Sequence, residues 1–549
     1  LKLLNRGVTA GSWVLLQNCH LGLKFLGELE ALLLGFAEVA PTFRLWITAE
    51  PHPRFPIGLL QMAIKLTNEP PQGMKPGLKR SFAWMSQDVF DAVSNPDWRA
   101  LLFTMCFMHS VVQERRKFGP LGWNIPYEFN QSDLSASVAF LQNHAIMQES
   151  ISKKNFVSWA TVKYMICEVH YGGRITDDFD RRLFNTYGDS WLNPRVFEKG
   201  FSFYKEYKVP AGNDILAYRQ AIEQLPMIDP PELFGLHPNA DITYRANQTR
   251  EALATILEIQ PKEASGTGGL SPEEQVLRVI ADLQSKLPAN FIAAQVKEQI
   301  RKLGGMAKSL NIFLGQEVER LEKVLVRVGA TLRDLKLAIA GTIVLSPALS
   351  NALNAMYNAR CPPDWVKVSW PSPTLGQWFT VLVLRAEQLS DWLVKGRPKT
   401  YWMTGFFNSQ GFLTAMKQEV TRNHKGWALD DVVLSTAVTN KEKEELKVAP
   451  EEGVYVHGLY LDGCSWDKKK DTLVDSDPKV LFAALPVLHV SAVQAVDKKT
   501  DPTKTYECPC YTILSRTGLN YIVTLELRTE PDPPQKWIMR GVAVVCSKD

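Results

Sequence analysis

Two stretches near the start decide how the chain begins to fold: Gly11-Ser-Trp-Val-Leu-Leu-Gln-Asn-Cys-His-Leu21 and Phe43-Arg-Leu-Trp-Ile-Thr48. Each holds a short β-rich apolar run, at 12–16 and 42–48. The residues between them, 21–36, space their apolar side chains as a helix does. Strand, helix and strand within about forty residues predict one βαβ unit of a parallel sheet. Three prolines follow within 50–56, then a helix-like 57–67 and a Pro/Gly-rich exit over 70–77, which reads as a boundary.

Outward from there, 86–241 has helical periodicity. Residues 98–113 are apolar nearly all round, predicting a buried helix. Tyr171-Gly-Gly-Arg174 interrupts the pattern, and Thr176 reads as the N-cap of a helix whose first turn holds Asp177, Asp178 and Asp180. Gly235-Leu-His-Pro-Asn239 reads as a closing turn. The polar, glycine-rich 259–270 reads as a loop. Ser271-Pro-Glu-Glu274 then reads as a capping box with Pro at the first helical position. A longer helix over 311–339 places Leu314, Val318, Leu321, Leu325, Val328, Leu332 and Leu335 in alternating steps of four and three. That spacing suits a coiled-coil seam, or an amphipathic helix packed on its own domain. After an aromatic stretch from Trp365 to Phe412, β-rich runs at 432–436, 453–461, 485–490, 506–514, 521–527 and 537–545 predict a β domain, their spacing that of a sandwich or barrel.

The 549 residues predict about three or four domains. The 62 Lys and Arg against 58 Asp and Glu leave only +4, too weak a charge for a dedicated nucleic-acid binder. Apolar runs such as 32–36 and 379–384 fall far short of a membrane span. Eight scattered cysteines suggest reduced thiols in the cytoplasm rather than a disulfide framework. The opening Leu-Lys-Leu-Leu carries no initiator Met or signal peptide, so the chain reads as a piece of something longer.

The chemical motifs are mostly missing. There is no Gly-Lys dipeptide for a phosphate loop, and no HExxH, GxSxG, GxGxxG or CxxC. Cys508-Pro-Cys510 lacks a second ligand pair at finger-like spacing and reads as structural, so no metal site is expected. His20 and His52 flank the early strands without a nucleophile. The Asp177–Asp178–Asp180 acids run into Arg181 and Arg182, as a charged helix start does. In a P-loop ATPase the second motif is an apolar strand ending in acids, one orienting Mg²⁺ and the other polarising water. Here the first strand ends in Gln17 and Asn18, amides that are poor Mg²⁺ ligands and cannot act as a base. If this is that strand, hydrolysis is lost.

These words together resemble a known family. Gly11–Leu21 and Phe43-Arg-Leu-Trp-Ile-Thr-Ala-Glu-Pro-His-Pro-Arg-Phe-Pro56 resemble the sixth AAA+ module of dynein heavy chains. Lys65-Leu-Thr-Asn-Glu-Pro-Pro71, Phe118-Gly-Pro-Leu-Gly-Trp-Asn-Ile-Pro-Tyr-Glu-Phe129, Tyr171-Gly-Gly-Arg-Ile-Thr-Asp177 and Phe234-Gly-Leu-His-Pro-Asn-Ala-Asp241 continue it in order. Trp402-Met-Thr-Gly-Phe-Phe407, Gly453-Val-Tyr-Val-His-Gly-Leu459 and Asp462-Gly-Cys-Ser-Trp-Asp467 resemble the dynein C-terminal domain, and the ending from Leu519-Asn-Tyr-Ile522 through Trp537-Ile-Met-Arg-Gly-Val-Ala-Val-Val545 is most similar to that of axonemal outer-arm gamma-type chains.

The resemblance implies a multidomain α/β plus α plus β protein. Its expected parts are the end of an α/β large subdomain (1–85), a helical small subdomain (86–241), and the helical (242–425) and β-barrel (426–549) portions of a C-terminal domain. It implies a non-hydrolytic, structural or regulatory segment of a ring that drives ciliary and flagellar beating. ATP and Mg²⁺ then belong to upstream modules, no cofactor is bound here, and no residue is catalytic. The implied partners are the rest of the ring, other dynein heavy, intermediate and light chains, and microtubules through a stalk outside this stretch. No nucleic acid or membrane is expected, and the location is the cytoskeleton of the axoneme. Two alternatives are an ATP-binding module using an upstream phosphate loop and a stand-alone scaffold whose aromatic region grips a partner peptide.

Overall fold

The computed structural model describes residues 2–50, 52, 54–66, 72–151, 156–259 and 271–548. They fall into two compact units, Leu1–Pro71 and Gln72–Asp549. The expected loop 259–270 lies, from 260 onward, outside the described residues.

In the first unit, β1 (Trp13–Leu16) and β2 (Arg44–Ile47) pair in parallel, Trp13 against Arg44 through Leu16 against Ile47. Helix Leu23–Leu34 connects them, giving the expected βαβ unit. Val14, Leu16, Leu45 and Ile47 face a small core of Leu4, Cys19, Leu26, Leu29 and Leu59. The opposite face is also apolar: Trp13 is 69% exposed and Leu15 55%, and the Trp13 and Trp46 rings lie 5.7 Å apart. Apolar residues on both faces are the pattern of a parallel sheet covered on both sides.

The second unit begins as a helical layer around helix Trp98–Glu114, which is buried at every residue from 101 to 112. Helices Met74–Ala83, Gln131–Ile151 and Asp178–Trp191 share its core, along with the hairpin of β3 (Ser202–Tyr204) and β4 (Tyr207–Lys208). Phe107 stacks on Phe203 at 4.0 Å. The N-cap of Asp178–Trp191 is Asp177, one residue later than expected. Its carboxylate accepts the Phe179 and Asp180 amides, both at 3.0 Å. A carboxylate is a stronger acceptor for these amides than the Thr176 hydroxyl.

Helix Pro272–Lys286 starts on the expected box, with Ser271 and Glu274 bonded reciprocally. Helix Ser309–Ile339 buries all seven predicted stripe residues, and also Phe313, Glu317 and Val324. The stripe packs against helices Pro347–Tyr357, Leu375–Lys395 and Ser409–Asn423 of the same unit. It is therefore a core face wider than a two-stranded seam, and the coiled-coil reading is not supported.

The remaining strands are β5 (Thr400–Trp402), β6 (Val432–Val438), β7 (Val454–His457), β8 (Tyr460–Asp462), β9 (Ser465–Asp467), β10 (Thr472–Val474), β11 (Phe482–Ala484), β12 (Leu488–Gln494), β13 (Thr505–Tyr511), β14 (Tyr521–Arg528) and β15 (Ala543–Val545). They do not close into the expected barrel. A four-stranded sheet runs β5-β7-β12-β6 and a five-stranded sheet β11-β8-β15-β13-β14, with β9 and β10 as a separate hairpin. Edge strands β6 and β14 meet where the Glu526 amide donates to the Thr436 hydroxyl at 3.0 Å. A hydroxyl stands where closure would require a backbone ladder. The β-rich run over 537–545 is also only partly strand. Pro534–Arg540 is a helix with Pro at its start and Gly541 in the left-handed conformation after its end, the Pro-first, Gly-last asymmetry of helices.

Candidate functional site

Gln17 and Asn18, the degenerate acidic-motif position, follow β1 at the carboxyl rim of the parallel pair, where open α/β sheets bind ligands. Both are exposed. Asn18 adopts a left-handed backbone (φ 54°), and its amide donates to the Thr48 hydroxyl at 3.0 Å. His20 Nδ1 accepts the Glu50 amide across the ends of the two strands, and His52 Nδ1 accepts the Arg54 amide in a local turn. Cys508 and Cys510 are free thiols buried in the core, and burial pushes the Cys508 thiol up to about 12.

A denser polar arrangement lies where the helical layer of 98–241 meets the β-rich portion. At its centre is Arg115, just past helix Trp98–Glu114 and fully buried. Its Nε donates to Gly122 O at 2.7 Å. One Nη donates to Tyr187 Oη at 2.7 Å and to Phe234 O, the other to Leu121 O at 3.2 Å and Met539 O at 2.7 Å. Four backbone carbonyls and a phenol therefore solvate this cation, and one of the carbonyls belongs to the far side of the joint. The planar five-donor fork of arginine suits this task, and lysine has only three donors.

Asn239 makes a second clamp. Its amide donates to Asp477 O and Val480 O at 2.9 and 3.0 Å and accepts the Lys479 amide at 2.9 Å. Arg540 reaches back to Leu236 O at 2.7 Å, and Arg182 to Glu507 O at 2.9 Å, its guanidinium 5.1 Å from the Tyr506 ring. Asn124 bridges Asp177 and the Tyr511 hydroxyl, both at 3.1 Å. Beside it, Asp180 accepts the Asn124 and Ile125 amides. Burial raises this carboxyl to about 6, against the pull of those two bonds. Two glycines permit the close approach. A Cβ on Gly541 would stand 2.2 Å from Leu121 O, and one on Gly235 2.8 Å from the Met539 methyl. The cavity left between Leu121, His237, Asn239, Asp462, Ser476 and Arg540 measures about 10 Å³, no more than a water molecule fills.

Three adjoining stretches match known sequence families. Residues 1–67 match the region D6 P-loop domain of the dynein heavy chain, 98–240 its AAA lid domain, and 246–546 its C-terminal domain. The protein belongs to the dynein heavy chains. It is 53% identical over 545 residues to dynein axonemal heavy chain 8 of Mus musculus and of Homo sapiens, covering 99% of its own length. It is 52% identical over 552 residues to the dynein gamma chain of the flagellar outer arm of Chlamydomonas reinhardtii. The match spans 11–12% of the length of these relatives. The polar joint therefore lies between the stretches matching the lid and C-terminal domains.

Four of the family-like words converge on it: Phe118–Phe129, Phe234–Asp241, Asp462–Asp467 and Trp537–Val545 supply Leu121, Asn124, Asn239, Asp462 and Arg540. The sequence does not single out Arg115, because Arg115-Arg-Lys117 has the look of a solvated charge run. The available signal is its place between a nearly all-apolar helix and the Phe118 word.

Proposed function

We propose that this chain is a non-hydrolytic part of an axonemal dynein ring, in which the lid of the sixth module and the C-terminal domain form one stiff body. The observation that carries this reading is the buried Arg115 guanidinium, whose acceptors come from both matched stretches. A shared, solvent-excluded cation resists hinge motion, because any opening strands its donors or acceptors. The division into a large-subdomain portion, a lid, and helical and β-rich C-terminal portions belongs to this reading. Its boundaries fall near 85, 241 and 425.

The family implies ATP and Mg²⁺ for the whole motor. The set at the β1 rim, two neutral amides with the Thr48 hydroxyl already accepting a backbone amide, does not suit a hard divalent cation. No hydrolytic step is assigned to it. The apolar outer face of β1 and β2 supports completion of this sheet by residues outside the present stretch. As part of a ciliary or flagellar motor, the segment would work in the axoneme with other dynein chains and with microtubules. The test is a complete heavy chain with Gln17→Ala and Asn18→Ala. Its microtubule-stimulated ATPase is expected to match the parent within error; a large loss would give this rim a catalytic role.

A further inference from the structure

The residues Ala293-Ala-Gln-Val-Lys-Glu-Gln-Ile-Arg-Lys302 are mostly strong helix formers, and they fold as a helix over that range. The helix is lightly seated: of its ten residues only Ile300 is buried. Between it and helix Ser309–Ile339 lies a mostly apolar groove of about 700 Å³, lined chiefly by Phe291, Val296, Ile300, Met306, Ile312 and Val318. Met306 is 59% exposed there. The lining from helix Ser309–Ile339 extends from Ile312 to Glu322, so the groove follows about 15 Å of that helix.

The charges beside the groove break the pattern of their surroundings. Neighbouring helices pair their exposed cations internally, four residues apart: Lys286 with Asp282 at 2.7 Å, and Lys323 with Glu319 and Lys395 with Asp391 at 2.8 Å. Lys297 and Arg301, which line the groove, are also four residues apart, but they carry the same sign, which disfavours a helix on its own. Both are exposed, and neither forms an ion pair among the described residues. Glu298, the one acid of this helix, is held by Lys302 at 3.0 Å, and neither of those two lines the groove. The bank on helix Ser309–Ile339 carries the opposite charge, and its acids are engaged: Glu319 by Lys323, and Glu322 by the Phe291 amide at 2.6 Å. The groove is thus apolar along its length, with two unpaired cations at helical spacing on one bank only.

We propose that the groove between helices Ala293–Lys302 and Ser309–Ile339 is a docking site for an amphipathic helix of a separate partner protein, one with an acidic edge. Its apolar side chains, at steps of three and four, fill the groove, and two carboxylates four residues apart pair with Lys297 and Arg301. Two cations one helical turn apart suit a helix better than a small molecule with a single charged head. Exposed charges at the rim suit a partner that comes and goes, because permanent interfaces are more apolar. The site does not rest on the motor reading, since its test measures neither ATP turnover nor microtubule binding.

The probes are two labelled, side-chain-stapled helical peptides of about four turns, with Leu along one face. At two edge positions four apart, one peptide carries Glu and its twin carries Lys. Fluorescence anisotropy with the 549-residue protein is expected to show saturable binding of the acidic peptide, at least about tenfold tighter than its twin, with the difference shrinking as salt is added. Combining Lys297→Glu with Arg301→Glu, at exposed positions without ion-pair partners, is expected to reverse the preference. Gln316→Trp, which obstructs the groove from an exposed position, is expected to abolish binding of both peptides. The complete heavy chain is expected to bind the acidic peptide as the 549-residue protein does. Equal affinities, a preference that charge reversal leaves unchanged, or binding that survives Gln316→Trp would each overturn the proposal. So would loss of binding in the complete chain, which would mean that its own residues fill the groove. A concentration-dependent dimer broken by Gln316→Trp would make the occupant a second copy, and would overturn it too.

Discussion

Replacing Arg115 by Met roughly keeps the length of the side chain and removes every donor. Tyr187 still donates to Phe234 O at 2.6 Å, so that carbonyl stays paired. Gly122 O, Leu121 O and Met539 O lose the guanidinium. Leaving a buried acceptor unpaired costs about 1–3 kcal/mol, so three bring roughly 3–9 kcal/mol. Against this, the substitution no longer buries a charge, and the desolvation of a cation returns several kcal/mol. From the middle of that range, about 6 kcal/mol, less roughly 3 kcal/mol returned, the expected net loss is about 3 kcal/mol. Arg115→Lys is expected to recover little of it, because three donors on a flexible stem cannot span the same acceptors. The assay is denaturant unfolding of the intact protein combined with hydrogen exchange. Exchange should rise first at 231–241 and 534–542, the two edges that Arg115 ties together. A loss below about 1 kcal/mol, or exchange rising evenly through the unit, would refute the view that this cation is the centre of the joint.

Other outcomes follow from single sites. Asp180, raised from 3.8 to about 6 by burial, binds its proton more readily folded than unfolded. Stability from this group therefore grows as pH falls through about 6 toward 3.8, by on the order of 2–3 kcal/mol, and is absent above that window. The stability of the parent relative to Asp180→Asn should accordingly rise between pH 7 and pH 4 in unfolding curves; a difference that stays flat with pH would refute the assignment. Combining Leu321→Ala with Val328→Ala, both fully buried, should cost about 2–5 kcal/mol for the Leu alone and speed exchange across 309–339. In the complete motor the same pair is expected to alter force or stepping while nucleotide affinity of the first module is nearly kept. Unaltered motility with faster exchange would make the domain a passive cap. The isolated protein is expected to release no phosphate from ATP above a boiled control.

Local pattern is enough wherever neighbours in sequence are also neighbours in space. The β-rich runs at 12–16 and 42–48, the all-apolar 98–113, the Ser271–Glu274 box and the heptad-like stripe of 311–339 each identify an element without any tertiary contact. The amides at Gln17 and Asn18 likewise speak for themselves, since no packing turns a carboxamide into a base. What these patterns leave open is what covers each face. The stripe carrying Leu321 and Val328 has the same spacing in a coiled coil and in a domain core, and only the helices packed against it settle which it is. Short β-rich runs do not say whether the last edge finds the first; that depends on Thr436 meeting Glu526 through a hydroxyl. Pro534 and Gly541 mark a helix inside a run that otherwise reads as strand. Arg115 is the clearest case. A cation in a basic run is solvated by water or by carbonyls, and only the meeting of Leu121, Phe234 and Met539, far apart in sequence, puts carbonyls there.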